Sequence, residues 1–172
     1  MLRAQQSNAY KVRGIINLLG EEISAREEAN AAAEEYVEIL KTLDARQIQS
    51  CISVKPTQLG LAIDESLFKD NLDSVLEFAK LLGNFVWMDM EGSPFTAQTI
   101  DSYLELRKKF DNLGIAIQAY LKRSQEDTAR ILDSGGVIRL CKGAYNESPK
   151  IVYKRKNEID QNYSKLMRMM FE

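Results

Sequence analysis

Charged and amide side chains collect where short apolar runs of this sequence end, and these are the residues that could carry chemistry. They are Glu21, Lys55, Asp89 with Glu91, Gln118, and Arg139 with Lys142. In parallel α/β sheets and barrels, loops and helix N-termini converge at the carboxyl ends of the strands, which is where ligands bind. We therefore expect this set to line one cleft. At any single position, a charge that simply meets water explains the pattern equally well.

Three positions suggest a particular chemistry. Lys55 could form an imine, clamp an anion or be merely solvated, and an anion clamp requires only the ordinary charged ammonium. Asp89 and Glu91 share one face by strand alternation and resemble an acid and base pair, although a solvated pair fits the spacing equally. Arg139 lies inside an apolar run, where an unpaired charge is costly, so we expect it to meet an anion or a hydrogen-bond acceptor.

Several catalytic classes are excluded by what the sequence lacks. It has no histidine, so Ser-His-Asp and Cys-His nucleophile pairs and histidine-ligated metals cannot form within this chain. Cys51 and Cys141 are too few for a disulfide framework or a four-cysteine zinc site, and they fit buried thiols of a reducing compartment. Neither a G-x-G-x-x-G fingerprint nor a P-loop occurs. The chemistry must come from Lys, Arg, carboxylates or a bound cofactor, and we expect no metal.

Composition limits the class of protein further. The 172 residues, 45% of them hydrophobic, suffice for one core, so we expect a single domain over residues 1–172. With 23 Lys and Arg against 25 Asp and Glu, no basic field favours nucleic acid or an anionic membrane. No apolar run approaches the roughly 20 residues that span a bilayer, and the N-terminus lacks the apolar core of a signal peptide. We expect a cytoplasmic protein without a transmembrane segment.

Strand-like and helix-like segments alternate along the chain. Apolar runs predict strands over 14–20, 51–55, 84–89, 114–120 and 137–141. Helices are predicted over about 24–43, 70–82, 96–110, 124–135 and 149–170, opened by a Ser24 and Glu27 capping box and by caps at Thr96, Ser124 and Ser148. Nearly continuous apolar strands joined by helical crossovers indicate an α/β fold with a parallel sheet. The pattern leaves open whether that sheet is doubly wound or belongs to an incomplete barrel, a complete barrel needing about 250 residues.

Five motifs at the strand ends, taken in order, resemble the flavin-dependent proline dehydrogenase family. They are LLGE at 18–21, ISVKPTQLG at 52–60, DMEG at 89–92, QAYLKR at 118–123 and RLCKGAY at 139–145. The resemblance covers residues 14–165 and implies a partial (β/α)8 TIM barrel of about five βα units that carries FAD at its C-terminal mouth. It implies an oxidoreductase of proline catabolism, which transfers a hydride from proline to FAD, yields pyrroline-5-carboxylate and passes the electrons to a quinone.

The resemblance assigns two sets of site residues by motif. The flavin-binding set is Gln118, Arg139, Lys142 and Gly143, with Arg139 near the flavin edge where negative charge develops on reduction. The catalytic set is Lys55, Asp89 and Tyr145. Lys55 is expected to face the carboxylate of the amino acid, Asp89 to order the polar cluster, and Tyr145 to pack beside the substrate ring. Glu21 is expected to support the site from the first strand.

The resemblance also implies that family members extend beyond this sequence. We expect three segments of the family to be absent here: a helical arm before the first strand, the last three strands, and a helix with adjacent arginines. We therefore expect weak proline oxidation by the isolated chain, and either self-association or supply of the missing segment by another chain. Peripheral membrane contact is compatible with a quinone acceptor. Two alternatives remain open: a non-catalytic partial barrel that acts through assembly, and a barrel enzyme with Lys55 or Lys142 as an imine-forming lysine.

Overall fold

The computed structural model describes residues 1–20 and 23–172, so the predicted supporting role of Glu21 lies outside the described residues. Helices and strands alternate along the chain. They are α1 (Leu2–Ala9), β1 (Gly14–Asn17), α2 (Arg26–Ala45), β2 (Ser50–Val54), α3 (Glu65–Leu81), β3 (Val86–Met88), α4 (Ser93–Arg107), β4 (Leu113–Gln118), α5 (Ser124–Asp133), β5 (Ile138–Cys141) and α6 (Lys156–Phe171). Two compact units contain them: Met1–Asp89 with Phe110–Leu113, and Met90–Lys109 with Gly114–Glu172.

The first unit contains three parallel strands with two long helices. β1 pairs with β2 and β2 pairs with β3, so strands that follow each other in the chain are neighbours in the sheet. α2 and α3 each bury one apolar face, and the largest fully buried side chains of the unit include Tyr36, Phe68 and Leu72. The Asp64 carboxylate caps α3 by accepting a hydrogen bond from the Leu67 N–H at 2.7 Å.

The second unit contains β4 and β5 in parallel, with α4, α5 and α6. All six residues of β4 are buried, as expected for a strand covered on both faces. Burial of Ile115 and Ile117 contributes about 1.5–3 kcal/mol each to stability. β5 differs, because none of its residues is buried and Cys141 at its end is exposed. The two paired strands therefore differ sharply in how well they are covered.

The α/β class predicted from the sequence is confirmed, and the described strand pairs are parallel. Helix starts differ from prediction. The capping box at the start of α2 uses Glu28, which accepts hydrogen bonds from the backbone N–H groups of Ser24 and Ala25 at 3.2 Å, so the predicted role of Glu27 was wrong. α3 begins five residues early because Asp64 caps it. α1 was not predicted at all, and it buries no residue.

The start of the last helix is the largest difference. Ser148 does not cap a helix: its backbone oxygen accepts from Ile151 and Val152 in a turn, and Val152 then forms an antiparallel bridge with Leu121. α6 begins only at Lys156, seven residues later than the predicted start at Pro149. α4 likewise begins at Ser93, ahead of the predicted cap at Thr96.

Two further expectations concern exposure and the membrane. The expectation of two buried thiols was wrong, because Cys51 is only partly buried and Cys141 is exposed. The reason is the position of Cys141 at the end of the poorly covered strand β5. Among the helices in the described part of the chain, none combines the length and the apolar character needed to cross a bilayer.

Candidate functional site

Lys55 and Asp89 form an ion pair in the first unit. Each residue directly follows a strand, and the register of β2 with β3 pairs Val54 with Met88, so the two lie side by side. Lys55 Nζ is 4.0 Å from Asp89 Oδ2, and both side chains are mostly buried, 14% and 17% exposed. Ser53 Oγ donates to the other carboxylate oxygen, Oδ1, at 2.5 Å. The carboxylate is thus held from two sides, with one oxygen turned to the lysine.

Gln118 and Arg139 share one face of the second unit. β4 and β5 pair Ala116 with Arg139 and Gln118 with Cys141, and residues two apart on paired parallel strands point to the same side. Gln118 is 2% exposed, and its Nε2 donates to the backbone oxygens of Met90 at 2.7 Å and Glu91 at 3.2 Å. Those bonds fix the amide orientation.

The other amide atom of Gln118 lacks a partner. Its Oε1 is buried and accepts no hydrogen bond from any residue that the structure describes. A buried acceptor left unpaired costs about 1–3 kcal/mol. An N–H donor on a bound group would remove that cost, so the amide is suited to recognising such a group.

Gly143 allows the chain to pass close to Tyr120 as it leaves β5. The φ angle of Gly143 is +119°, in a region that L residues rarely adopt, and an added Cβ would lie 2.3 Å from Cδ1 of the Tyr120 ring. Tyr145 packs against a small apolar cluster of Tyr120, Leu121 and Val152. Burial first, and the nearby Glu147 second, raise the pKa of Tyr120 to about 12, so its hydroxyl stays neutral at ordinary pH.

Lys142 lies at the edge of this region and pairs with Asp160 on α6. The hydrogen bond from the ammonium is the main reason that the pKa of Asp160 is lowered. Both side chains are about half exposed. The pair therefore directs Lys142 toward the last helix.

Glu147 bridges two distant parts of the second unit. Its Oε1 accepts from the Ser93 N–H at 2.6 Å, and its Oε2 accepts from Ser93 Oγ at 2.7 Å. Ser93 is the first residue of α4, and the preceding cap residue, Gly92, has no side chain to offer. Glu147 thus provides the capping group from a position 54 residues further along the chain.

The structure brings the predicted residues together in pairs. Lys55 lies beside Asp89, and Gln118 lies on the same strand face as Arg139. The expectation that all four line one cleft stays a prediction. The idea that strand alternation places Asp89 and Glu91 on one face was wrong, because β3 ends at Met88 and neither residue belongs to a strand.

Two residues of the region were missed from the sequence. Ser53 gave a usable signal, since it is a polar residue of β2 only two positions before Lys55. Glu147 gave none, because its partner Ser93 is remote in sequence.

A sequence profile described as proline dehydrogenase matches residues 1–172 of this chain. The chain belongs to the proline dehydrogenase family. Among curated members, it is 32% identical over 164 residues to proline dehydrogenase 2 of Bacillus subtilis, covering 95% of this chain and 54% of that protein. It is 34% identical over 154 residues to proline dehydrogenase 1 of the same organism, covering 90% and 51%. The chain thus spans about half the length of these relatives.

Solved structures of the family resemble the chain closely. The crystal structure of proline utilization A from Bdellovibrio bacteriovorus, inactivated by N-propargylglycine, superposes with a TM-score of 0.86 at 25% identity, over 98% of this chain and 22% of that protein. Proline utilization A from Corynebacterium freiburgense superposes with a TM-score of 0.76 at 25% identity, over 96% and 20%. The fold of the chain therefore corresponds to one segment of these much longer proteins.

Proposed function

We propose that this chain is part of a proline dehydrogenase, about five units of a (β/α)8 barrel, that oxidises proline to pyrroline-5-carboxylate with FAD and passes the electrons to a quinone. Family membership supports the substrate, and one observation supports the cofactor: the buried, unpaired Oε1 of Gln118 on the strand face shared with Arg139. We place the protein in the cytoplasm, with peripheral membrane contact where it meets the quinone.

The residues of the second unit fit a flavin. The Gln118 Oε1 would accept a hydrogen bond from a ring N–H, which satisfies an acceptor that the described residues leave unpaired. The Arg139 guanidinium, on the same face, would stabilise negative charge on the reduced ring. Lys142 and Gly143 would line the cofactor where the chain leaves β5. When bound, FAD supplies the acceptor for the hydride from proline.

We assign binding of the substrate carboxylate to Lys55. Lys55 is a mostly buried cation, paired with Asp89 at 4.0 Å, and an ammonium with three N–H donors is suited to binding the carboxylate of an amino acid as well. Ser53 holds Asp89 in place, and Asp89 keeps the lysine oriented. Tyr145 would pack beside the proline ring. Proline, FAD and the quinone are thus the proposed partners.

The test is a flavin titration of the purified chain, followed by its visible absorbance and by quenching of FAD fluorescence. Gln118→Leu replaces the amide by an apolar group of similar size, which removes the unpaired acceptor together with the Nε2 bonds to the backbone oxygens of Met90 and Glu91. Gln125→Leu is the matched control, since Gln125 lies on α5 and donates to Asn162. We expect Gln118→Leu to raise the FAD dissociation constant about ten-fold, which corresponds to about 1.4 kcal/mol, and Gln125→Leu to leave it unchanged. Absence of FAD binding by the unsubstituted chain would overturn the proposal.

A second function has an observation in its favour. No residue of β5 is buried and Val137 just before it is 37% exposed, whereas β4 is fully buried. A poorly covered parallel strand can pair with another chain, so a non-catalytic role through self-association or a partner chain follows. The oligomeric state of the chain with and without Val137→Lys, measured by sedimentation, distinguishes the assembly function from the catalytic one. Oligomers that dissociate in the variant, together with no flavin binding, would favour assembly.

A further inference from the structure

The connection between β5 and α6, residues 142–155, lies along the segment that follows β4. Tyr120 makes two backbone hydrogen bonds to it: its N–H donates to the Lys142 oxygen at 2.8 Å, and its oxygen accepts from the Tyr153 N–H at 2.8 Å. The connection is therefore attached at its first residue and again near its end. Between those points it carries Gly143 and Tyr145, two of the residues that we place at the cofactor and substrate.

The middle of this connection is attached by Glu147. Its carboxylate accepts both the N–H and the hydroxyl of Ser93, at 2.6 and 2.7 Å. Hydrogen bonds to a charged acceptor are about twice as strong as neutral ones, and a carboxylate is stabilised further by the positive end of the helix dipole. Since Gly92 provides no side chain, the same two bonds cap α4 and attach the middle of the connection.

We propose that Glu147 is a positioning residue: by capping α4 through Ser93, it holds the β5–α6 connection in the conformation that presents Gly143 and Tyr145 at the flavin and substrate site. The proposal rests on the proposed function for what the connection presents. Glu147 itself acts only through the residues that it holds. The backbone of Tyr145 also contributes a hydrogen bond to the Tyr120 hydroxyl, so this bond and the Glu147 cap hold the same segment two residues apart.

Amide hydrogen exchange of the whole chain tests the attachment directly. In Glu147→Ala, we expect exchange of residues 143–150 and of the first turn of α4 to become about 5- to 30-fold faster, the factor that 1–2 kcal/mol of local stability produces. Ser93→Ala keeps the N–H and should give a smaller increase in the same two segments. Glu158→Ala is the matched control, because Glu158 caps α6 through the Arg155 N–H, and its effect should stay at the start of α6.

A flavin titration of the same variants tests the positioning role. We expect the FAD dissociation constant to rise in Glu147→Ala by a factor similar to that of the exchange, to recover in part in Glu147→Gln, which keeps one acceptor, and to stay unchanged in Glu158→Ala. Glu147→Gln also serves if Glu147→Ala does not fold. Unchanged exchange in residues 143–150 would overturn the inference, and so would faster exchange with unchanged FAD affinity. If the unsubstituted chain binds no FAD, the proposed function fails, and the exchange result still decides whether Glu147 holds the connection.

Discussion

Gly143→Ala should destabilise the second unit more than replacement of Gly135, where a new Cβ would meet open space. The new Cβ would lie 2.3 to 2.6 Å from three atoms of the Tyr120 ring, and the φ of +119° is strained for alanine. A residue forced into such a backbone region costs about 1–3 kcal/mol, and overpacking costs about 1–3 kcal/mol more. We expect a loss of about 2–6 kcal/mol, a large part of the 5–15 kcal/mol that typical domains have.

Gly135→Ala separates the two contributions. Gly135 lies in the same unit with a φ of +68°, and a Cβ there meets no atom within 4 Å, so its replacement carries the backbone cost alone, about 1–2 kcal/mol. The assay is urea unfolding followed by far-ultraviolet circular dichroism, in the native background and with Tyr120→Ala. The gap between the two glycine variants should shrink once the ring is gone. A gap below about 0.5 kcal/mol in the native background would refute the steric argument.

Three further predictions concern a charge, a titration and a cap. Arg139→Ala should weaken FAD binding about ten-fold or more in a fluorescence titration, because a hydrogen bond to a charged group is lost. Arg155 is solvated, so Arg155→Ala should leave FAD binding unchanged. Equal effects of the two substitutions on FAD binding would contradict the assignment of Arg139. Burial raises the pKa of Tyr120 from 10.0 to about 12. The contribution of this pKa difference to the free energy of unfolding is complete below pH 10 and should be lost between about pH 10 and 12, because the unfolded chain ionises first. In urea unfolding, Tyr120→Phe should lack this part of the decline. Asp64→Ala should cost about 0.5–2 kcal/mol in the same assay through the lost cap of α3, and an effect no larger than that of the exposed Asp70→Ala would count against it.

The strands were predictable from the sequence because their information is local. A buried parallel strand needs a run of apolar residues, and β4 shows why that signal is strong: all six of its positions are buried. Helix starts were less predictable, since several residues near each start could cap it. Asp64 could have been recognised as the cap of α3, but the prediction did not use it. Ser148 and Pro149 wrongly suggested the start of the last helix, because their turn leads into an antiparallel bridge at Val152.

The candidate site divides in the same way. Lys55, Asp89, Gln118 and Arg139 were found because polar residues at strand ends stand out against apolar runs. The unpaired Oε1 of Gln118 could not be predicted, because it depends on whether a hydrogen-bond donor lies beside the amide oxygen in the folded chain. The role of Glu147 could not be predicted for a related reason: a carboxylate in a loop becomes a helix cap only when the fold places it beside the start of a helix.

The cap on α4 also sets an order of events during synthesis. Ser93 leaves the ribosome 54 residues before Glu147, an interval of about 3–11 s at about 5–20 residues per second. Throughout that interval the first turn of α4 lacks its carboxylate, and water competes for its free N–H groups. The helix can reach its final start only after β5 and the segment beyond it have been made. A nascent chain that stalls within this interval, or a product cleaved between the two residues, would keep α4 frayed at its beginning.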